Sequence, residues 1–247
     1  MYPTFFHIGS FEVTSFGVLV ATAALVGLWI FGRELARSRL PANGSDAAMA
    51  GVFGGLLGAK LLWVAEHLGE EPFRDLLFSR GGMSWFGGLI GGVGTALFFM
   101  RRMRLPIVAT LAAATPALAI GHAIGRIGCF LVGDDYGRPS DLPWAVAFPR
   151  GLPPTYERVH PTQLYEMLAL FIVGWLLIRW RRHGVADAVV IGRYLVLAGS
   201  IRFAIEFIRV NQRIVGPLTL AHLVSLGLVI VGTGVLLAGS ARSRVLD

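Results

Sequence analysis

The feature that most constrains this chain is a series of apolar segments, each close to the length needed to cross a lipid bilayer. A helix rising about 1.5 Å per residue needs roughly 20 mostly apolar residues to traverse the hydrocarbon core. Val13–Gly32, Ala47–Ala65, Gly81–Met100, Leu105–His122, Pro161–Ile178, Ala188–Phe207 and Ile214–Ala241 meet that length or nearly do. The third and the last carry no formal charge, whereas the second holds Lys60, the fifth Glu166, and the sixth Arg193, Arg202 and Glu206. Composition agrees: 55% of the 247 residues are hydrophobic, only 15% are charged, and mean hydropathy is +0.66. Soluble domains keep about a quarter of their residues charged, because water solvates them; a lipid-facing surface has no such solvent. The expectation is an all-α polytopic membrane protein of about seven spans, forming a single membrane domain over residues 1–247.

Charge placement then orients the chain. Lys60 is the one lysine among 22 basic residues, and net charge is +7. In a membrane protein such an excess speaks of topology and anionic lipid rather than nucleic acid. Arg33, Arg37 and Arg39 follow the first span, and Arg101, Arg102 and Arg104 follow the third. Arg179, Arg181 and Arg182 follow the fifth, and Arg242 and Arg244 follow the last. With seven alternating helices these four regions share one side, which the positive-inside rule makes cytoplasmic. The N-terminus then faces outward and the C-terminus inward. Met1–Thr14 lacks a basic n-region and a small-residue cleavage site, so the first apolar segment reads as a retained span. Cys129 is the only cysteine, which excludes an intrachain disulfide.

Two features describe packing and layout. Small-xxx-small spacing in the second and third spans (Gly51/Gly55, Gly54/Gly58, Gly87/Gly91, Gly88/Gly92) predicts close backbone approach between helices. Among the outer loops Glu66–Arg80 is short and acidic, while Ala123–His160 is long, rich in Gly, Pro and Asp, and large enough for a small external cap. No internal repeat, low-complexity tract or separate soluble domain is visible.

The residues that break the sorting of charge carry most of the chemical information. Arg126, Arg138, Arg202, Arg209 and Arg213 fall away from the inner side. Arg126 sits at the outer end of the fourth span in GHAIGRIGCFLVGDDYGRP, read as a Gly-rich turn beside Asp134 and Asp135. Arg202 and Glu206 are four residues apart near the outer end of the sixth span, hence on one helical face, with Arg209 within reach of Glu206. Ionisable groups at membrane depth are costly and face a polar cavity or one another. One reading is a structural Arg–Glu pair with side chains extended toward the interface. The other is a phospholipid headgroup site, since guanidinium groups present forked donors suited to phosphate oxygens. The six histidines are scattered, and no HExxH, CxxC or phosphate-loop glycine motif occurs, so no metal or cofactor is expected.

At these residues the sequence resembles the bacterial prolipoprotein diacylglyceryl transferase family. GRIGCFLVGDDYGRPSDLPWAVAFP looks like the family signature, and GGMSWFGGLIGG, HPTQLYE and RFAIEFIR occur around it in the family's order. The resemblance implies a seven-helix body in the inner membrane with a small periplasmic head, here residues 123–160, inserted between the fourth and fifth spans. It implies transfer of the diacylglyceryl group of phosphatidylglycerol to the lipobox cysteine thiol of a preprolipoprotein, giving a thioether and glycerol 1-phosphate. Its partners would be phosphatidylglycerol, the preprolipoprotein signal peptide and membrane lipid. By the same resemblance Arg126 matches the phosphatidylglycerol-binding arginine and Arg202 the second essential arginine, with Glu206 as its partner. Gly137 matches the motif glycine, where close backbone approach is expected. His160, Gln163, Tyr165 and Glu166 match HPxQLYE. Catalytic roles fall to Arg126, Arg202, Glu206 and His160, and substrate contacts also to Gly137, Asp134, Gln163, Tyr165 and Glu166. For His160 and Glu166, anchoring of the head to the span is the competing role.

Several positions depart from the family pattern. Phe86 stands where the family has a histidine proposed to help activate the thiol, and Phe16 and Ala198 stand at its tyrosines. Cys129 and Val132 replace asparagines, and Asp134 a glutamate. His122, one turn before Arg126, together with His160, Asp134 and Asp135, are the groups left to supply a base. Cys129 reads as a small buried residue, with lipid relay as the alternative role. Two other functions fit the same residues: a non-catalytic relative that binds phospholipid or lipoprotein precursor, and, more remotely, a transporter.

Overall fold

The computed structural model describes residues 4–9, 11–79 and 82–243. Gly81, at the expected start of the third span, and Arg244 lie outside them. Each of the seven apolar segments contains a helix, with ends that differ from the expected bounds. In order the elements are β1 (Thr4–Ile8), β2 (Phe11–Thr14), α1 (Ser15–Arg37), α2 (Gly44–Glu66), α3 (Phe73–Phe78), α4 (Trp85–Arg102) and α5 (Ile107–Val132). They continue with β3 (Val146–Phe148), β4 (Thr155–Val159), α6 (Thr162–Arg182), α7 (Asp187–Glu206), β5 (Arg213–Val215), β6 (Leu218–Thr219) and α8 (Leu220–Ser243). The strands form three antiparallel pairs, β1–β2, β3–β4 and β5–β6, each joining successive strands.

Among the described residues six helices, α1, α2, α5, α6, α7 and α8, are long and apolar enough to cross a membrane. The expected third span is the helix α4, 18 residues long and ending on Arg101 and Arg102, so its whole length includes both charges. Basic residues also end α1 and α6, where they complement the partial negative charge of a helix C-terminus. The last span starts later than expected: Ile214 belongs to β5, and helix begins at Leu220. The larger difference is at α5, which runs ten residues past His122 to Val132. The Gly-rich stretch around Arg126 is therefore helical rather than a turn.

Two compact units emerge, one of residues 31–110 and one of residues 1–30 with 111–247. Within residues 31–110, α2 and α4 pack backbone to backbone. An added Cβ at Gly58 would lie 2.4 Å from the Gly87 carbonyl oxygen, and one at Gly91 would lie 2.4 Å from that of Gly54. Gly51 meets Gly92 and Gly55 meets Gly88 at 3.3 Å. All four expected small-residue pairs thus face each other, the arrangement that brings helices together in lipid.

The second unit carries α6, α7 and α8. An added Cβ at Gly192 would lie 2.9 Å from the Gly232 carbonyl oxygen, and one at Gly232 would lie 2.9 Å from that of Gly192. Ala119, Val173, Leu177 and Val190 form a buried cluster joining α5, α6 and α7. α5 begins after Pro106 and carries the buried Pro116 within it. Two of its glycines are packing positions: a Cβ added at Gly121 would lie 3.4 Å from the Ala23 carbonyl oxygen, and one at Gly128 would abut Phe16 and Leu19 of α1. Between α5 and α6 the chain folds into a small cap around β3–β4. Phe148, fully buried, is stacked on Tyr136 and met edge-on by Phe130. Arg158 donates to the carbonyls of Ala145, Leu142 and Pro143, which ties the loop before β3 to β4.

Candidate functional site

Three of the misplaced arginines, Arg126, Arg202 and Arg209, meet in a network that starts at the last turns of α5. Asp135, just beyond α5, adopts a left-handed backbone with φ of 61°. Asp and Asn tolerate that region better than most residues, and here it presents the carboxylate to two arginines. Arg126 Nη1 donates to Asp135 Oδ2 at 2.7 Å, and Arg209 Nη2 donates to Oδ1. Asp135 thereby clasps a helix-borne arginine and one from just beyond α7. Burial alone would raise the Asp135 carboxyl, but Arg209 and Arg126 outweigh it and hold the group below the usual carboxylate range. Asp134 goes the other way: burial first, then the neighbouring Asp135 charge, pushes its carboxyl up.

Glu166, in the first turn but one of α6, is 2% exposed and sits between two basic groups of α5. Arg126 Nε stands 2.9 Å from its Oε2, and His122 Nε2 stands 3.5 Å from its Oε1. On α7, Arg202 Nη2 lies 2.8 Å from Glu206 Oε2. In the two arginine pairs the N–H vectors are off line, so these are ion pairs rather than hydrogen bonds. Glu206 is fixed more firmly through Oε1, which accepts from Asn211 Nδ2 and from Thr219 Oγ1, both at 2.7 Å. Arg209 Nε lies 3.9 Å from Glu206 Oε2 and closes the chain of charges. The sequence stretch therefore reads in space as Arg126, Asp135, Arg209, Glu206 and Arg202, with Glu166 and His122 joined at Arg126. Within it Arg202 Nη1 is buried and has no protein hydrogen-bond partner.

The remaining expected residues frame this network. Gly137 does need close backbone approach: a Cβ there would fall 2.8 Å from the Ile208 carbonyl oxygen and 2.9 Å from both His160 Cβ and Thr162 Cγ2. The Gly137 N–H donates to the His160 carbonyl, and the Arg138 N–H donates to that of Ile208, which fastens the segment after α5 to the chain after α7. Gln163 is 1% exposed; its Nε2 donates to the Asp134 carbonyl while its Oε1 is buried without a hydrogen-bond partner. Thr162 Oγ1 donates to the Asp135 carbonyl at 2.6 Å. Tyr165 accepts from Trp144 Nε1 at 2.8 Å and touches His160 Nδ1 at 3.3 Å. His160 thus makes its contacts with Tyr165 and the cap backbone.

Cys129 is half-buried, and Arg126 Nη1 reaches its Sγ at 3.8 Å. Its sulfur and the carboxylates of Asp134 and Asp135 lie within 4.8 Å of one another. With Asp135 committed to two guanidinium groups, this trio is part of the ion-pair network. Arg138 and Arg213 are exposed and outside it. Of the positions that depart from the family pattern, Phe86 is 37% exposed and Phe16 packs on Gly128.

The sequence pattern points to Arg126, Arg202, Glu206 and Glu166 as site candidates but does not signal four of the residues that join them. In the string Asp135 is only a candidate base, and Asn211, Thr219 and His222 do not stand out. Thr219-Leu-Ala-His222 opens α8, and its cue was a threonine before an apolar run. Thr219 Oγ1 accepts from the His222 N–H, and His222 Nδ1 accepts from the Thr219 N–H at 3.1 Å. This is a reciprocal helix cap with histidine in the place usually taken by Glu or Gln, and nothing in the local pattern says that it also grips Glu206.

Comparison with known proteins gives a consistent answer. The family model for prolipoprotein diacylglyceryl transferase matches residues 3–238. A phosphatidylglycerol–prolipoprotein diacylglyceryl transferase of Methylobacillus flagellatus is 32% identical, with 97% of each chain covered. The protein of that name from Synechococcus elongatus is also 32% identical, over 91% of this chain and 82% of its own. That from Clostridium tetani is 28% identical over 94% and 95%. A family match across nearly the whole length, together with the multi-span helical architecture, leads to one conclusion: the chain belongs to the prolipoprotein diacylglyceryl transferase family.

Proposed function

We propose that this protein transfers the diacylglyceryl group of phosphatidylglycerol to the thiol of the lipobox cysteine of preprolipoproteins. The observation that carries this reading is the unbroken ion-pair chain from Arg126 through Asp135, Arg209 and Glu206 to Arg202, in a chain of this family. In the reaction a thiolate attacks the glycerol carbon bonded to the phosphate oxygen. The C–S bond forms, the C–O bond breaks, and the electron pair leaves on glycerol 1-phosphate. The phosphate passes from one negative charge to two, and the thiol proton is released. Acceleration requires donors already aimed where that charge develops.

Arg126 and Arg202 supply them, and Arg202 Nη1 has a buried N–H direction still unused. Glu206 holds Arg202, and Glu166 and Asp135 hold Arg126, so the guanidinium forks are fixed before lipid arrives. Fixed dipoles and charges need no reorganisation during reaction, which is where such sites exceed water. Asp134, Gln163 and Gly137 shape the wall after α5, and Tyr165 and His160 support the cap; His160 acts by positioning rather than by carrying a proton. The enzyme sits in the bacterial inner membrane, with the N-terminus and the cap on the periplasmic side and the C-terminus in the cytoplasm. The four arginine clusters beyond the first, third, fifth and last spans support that orientation.

The test uses purified full-length protein in mixed micelles with acyl-labelled phosphatidylglycerol and a lipobox peptide. Wild type is expected to yield thioether-linked diacylglyceryl peptide. Arg126→Ala is expected to lose at least about a hundredfold, the scale set by removing one transition-state donor. Phe86 at the family's histidine position favours a second reading, a relative that binds phospholipid without turnover. Phosphatidylglycerol binding without any peptide product would establish that second reading and overturn the first.

A further inference from the structure

Resting on the reading above, we infer that His122 is the general base that takes the proton of the incoming thiol. The thiolate is the nucleophilic form of cysteine, and a lipobox thiol at neutral pH is mostly protonated. Some group must therefore remove one proton for each thioether formed. Histidine is the side chain whose ordinary titration range lies closest to neutrality.

Three observations select His122 among the histidines of the site. It lies one helical turn before Arg126 on α5, and both residues turn toward Glu166 of α6. Its imidazole is 46% exposed, so it is open to a substrate. His222, by contrast, is 1% exposed and its Nδ1 is taken up by the α8 cap. His160 is held against Tyr165.

The geometry also assigns the two ring nitrogens. Nε2 faces the buried Glu166 carboxylate at 3.5 Å, a distance that contracts to a hydrogen bond when a bound substrate tightens the site. A carboxylate on Nε2 favours the tautomer protonated there, which leaves the Nδ1 lone pair to accept the thiol proton. The same carboxylate then stabilises the imidazolium that forms. One oxygen of Glu166 thus serves the proton acceptor while the other serves Arg126, placing proton removal and phosphate binding on a single buried side chain. In the step, the S–H electron pair becomes the nucleophile, the C–S bond forms as the C–O bond breaks, and His122 ends as imidazolium beside a glycerol phosphate dianion. The charged groups that face His122 are Glu166 from α6, Arg126 from its own helix and Arg202 from α7.

The experiment compares full-length wild type and His122→Asn across pH 6 to 9 with phosphatidylglycerol and a lipobox peptide. Wild type should gain rate with pH through a single histidine-like step and then level off. His122→Asn should lose about a hundredfold or more at neutral pH, keep its KM for phosphatidylglycerol, and gain rate tenfold per pH unit as solution hydroxide supplies the thiolate. A peptide carrying selenocysteine in place of cysteine, whose selenol is already ionised at neutral pH, should restore most of the lost rate. Retention of the wild-type rate and profile by His122→Asn would overturn the assignment while leaving the transferase reading intact. Loss of rate that the selenol peptide does not restore would overturn it as well, since a merely structural role predicts that. Absence of transfer by wild type at every pH would sink the transferase reading and this inference together.

Discussion

At the scale of single residues, two adjacent carboxylates of the candidate site stand in opposite electrostatic states. Asp135 is held ionised by Arg209 and Arg126, so its contribution to stability is present above the usual carboxylate range and is lost only as pH falls through its depressed value. Asp134, raised by burial and by Asp135, has the reverse sign. Its protonated form suits the fold, so its contribution is full below about pH 4 and is lost as pH rises through the raised value. With Asp134 Oδ1 buried and lacking a hydrogen-bond partner, the ionised form opposes folding at neutral pH. Asp134→Asn is therefore expected to raise the thermal unfolding midpoint at pH 7 and to make little difference at pH 4, read by unfolding scans in detergent at both values. A gap that is equal at the two pH values, or reversed, would contradict this sign. Arg126 and Glu166 were legible from sequence because charge at membrane depth is rare and demands a partner. The role of Asp135 was not, because two adjacent aspartates look alike in a string and differ only through the left-handed turn that aims one at two arginines.

At the scale of elements, the sequence specified helices better than their ends. Long apolar runs left little alternative to helix, since backbone groups in lipid must bond internally. The ten-residue extension of α5 was hidden because Gly121, Gly125 and Gly128 read as breakers. Two of them instead allow α1 to come close, through the Ala23 carbonyl and the Phe16 and Leu19 side chains. That contact carries Arg126 on rigid helix rather than on loop. The short strands had no periodic signal, being two to five residues long. The start of α8 shows what such local geometry contributes. Thr219 caps the helix and donates to Glu206 in one stroke. Thr219→Val removes both functions at nearly constant shape. Cap loss costs about 1 kcal/mol of stability, and release of Glu206 forfeits a hydrogen bond to a charged group of about 1.5–3 kcal/mol. We expect a lowered unfolding midpoint and a fall in kcat of roughly tenfold or more, with the KM for the lipobox peptide little changed. An unchanged kcat in a destabilised Thr219→Val would mean that Glu206 holds Arg202 without the help of α8.

At the scale of the whole molecule, arginine stands in two kinds of place, at helix ends and within an ion-pair network. Clusters end α1, α4 and α6, while Arg126, Arg202 and Arg209 stand beside the buried carboxylates of Glu166 and Glu206 in the candidate site. The family's fold and reaction class were readable from four ordered motifs, and the departures at Phe86, Phe16 and Ala198 were readable as well. What sequence could not supply was the way charges from α5, α6, α7 and the start of α8 close into one chain, because those contacts join residues up to 74 positions apart. The central claim is that this network expels glycerol 1-phosphate as the thioether forms. The most direct measurement counts both products from the same reaction, with wild type and Arg202→Ala. The account predicts one glycerol 1-phosphate per diacylglyceryl peptide for wild type, and loss of both products together, by about a hundredfold, in the variant. Release of glycerol 1-phosphate without thioether, or undiminished transfer by Arg202→Ala, would contradict it.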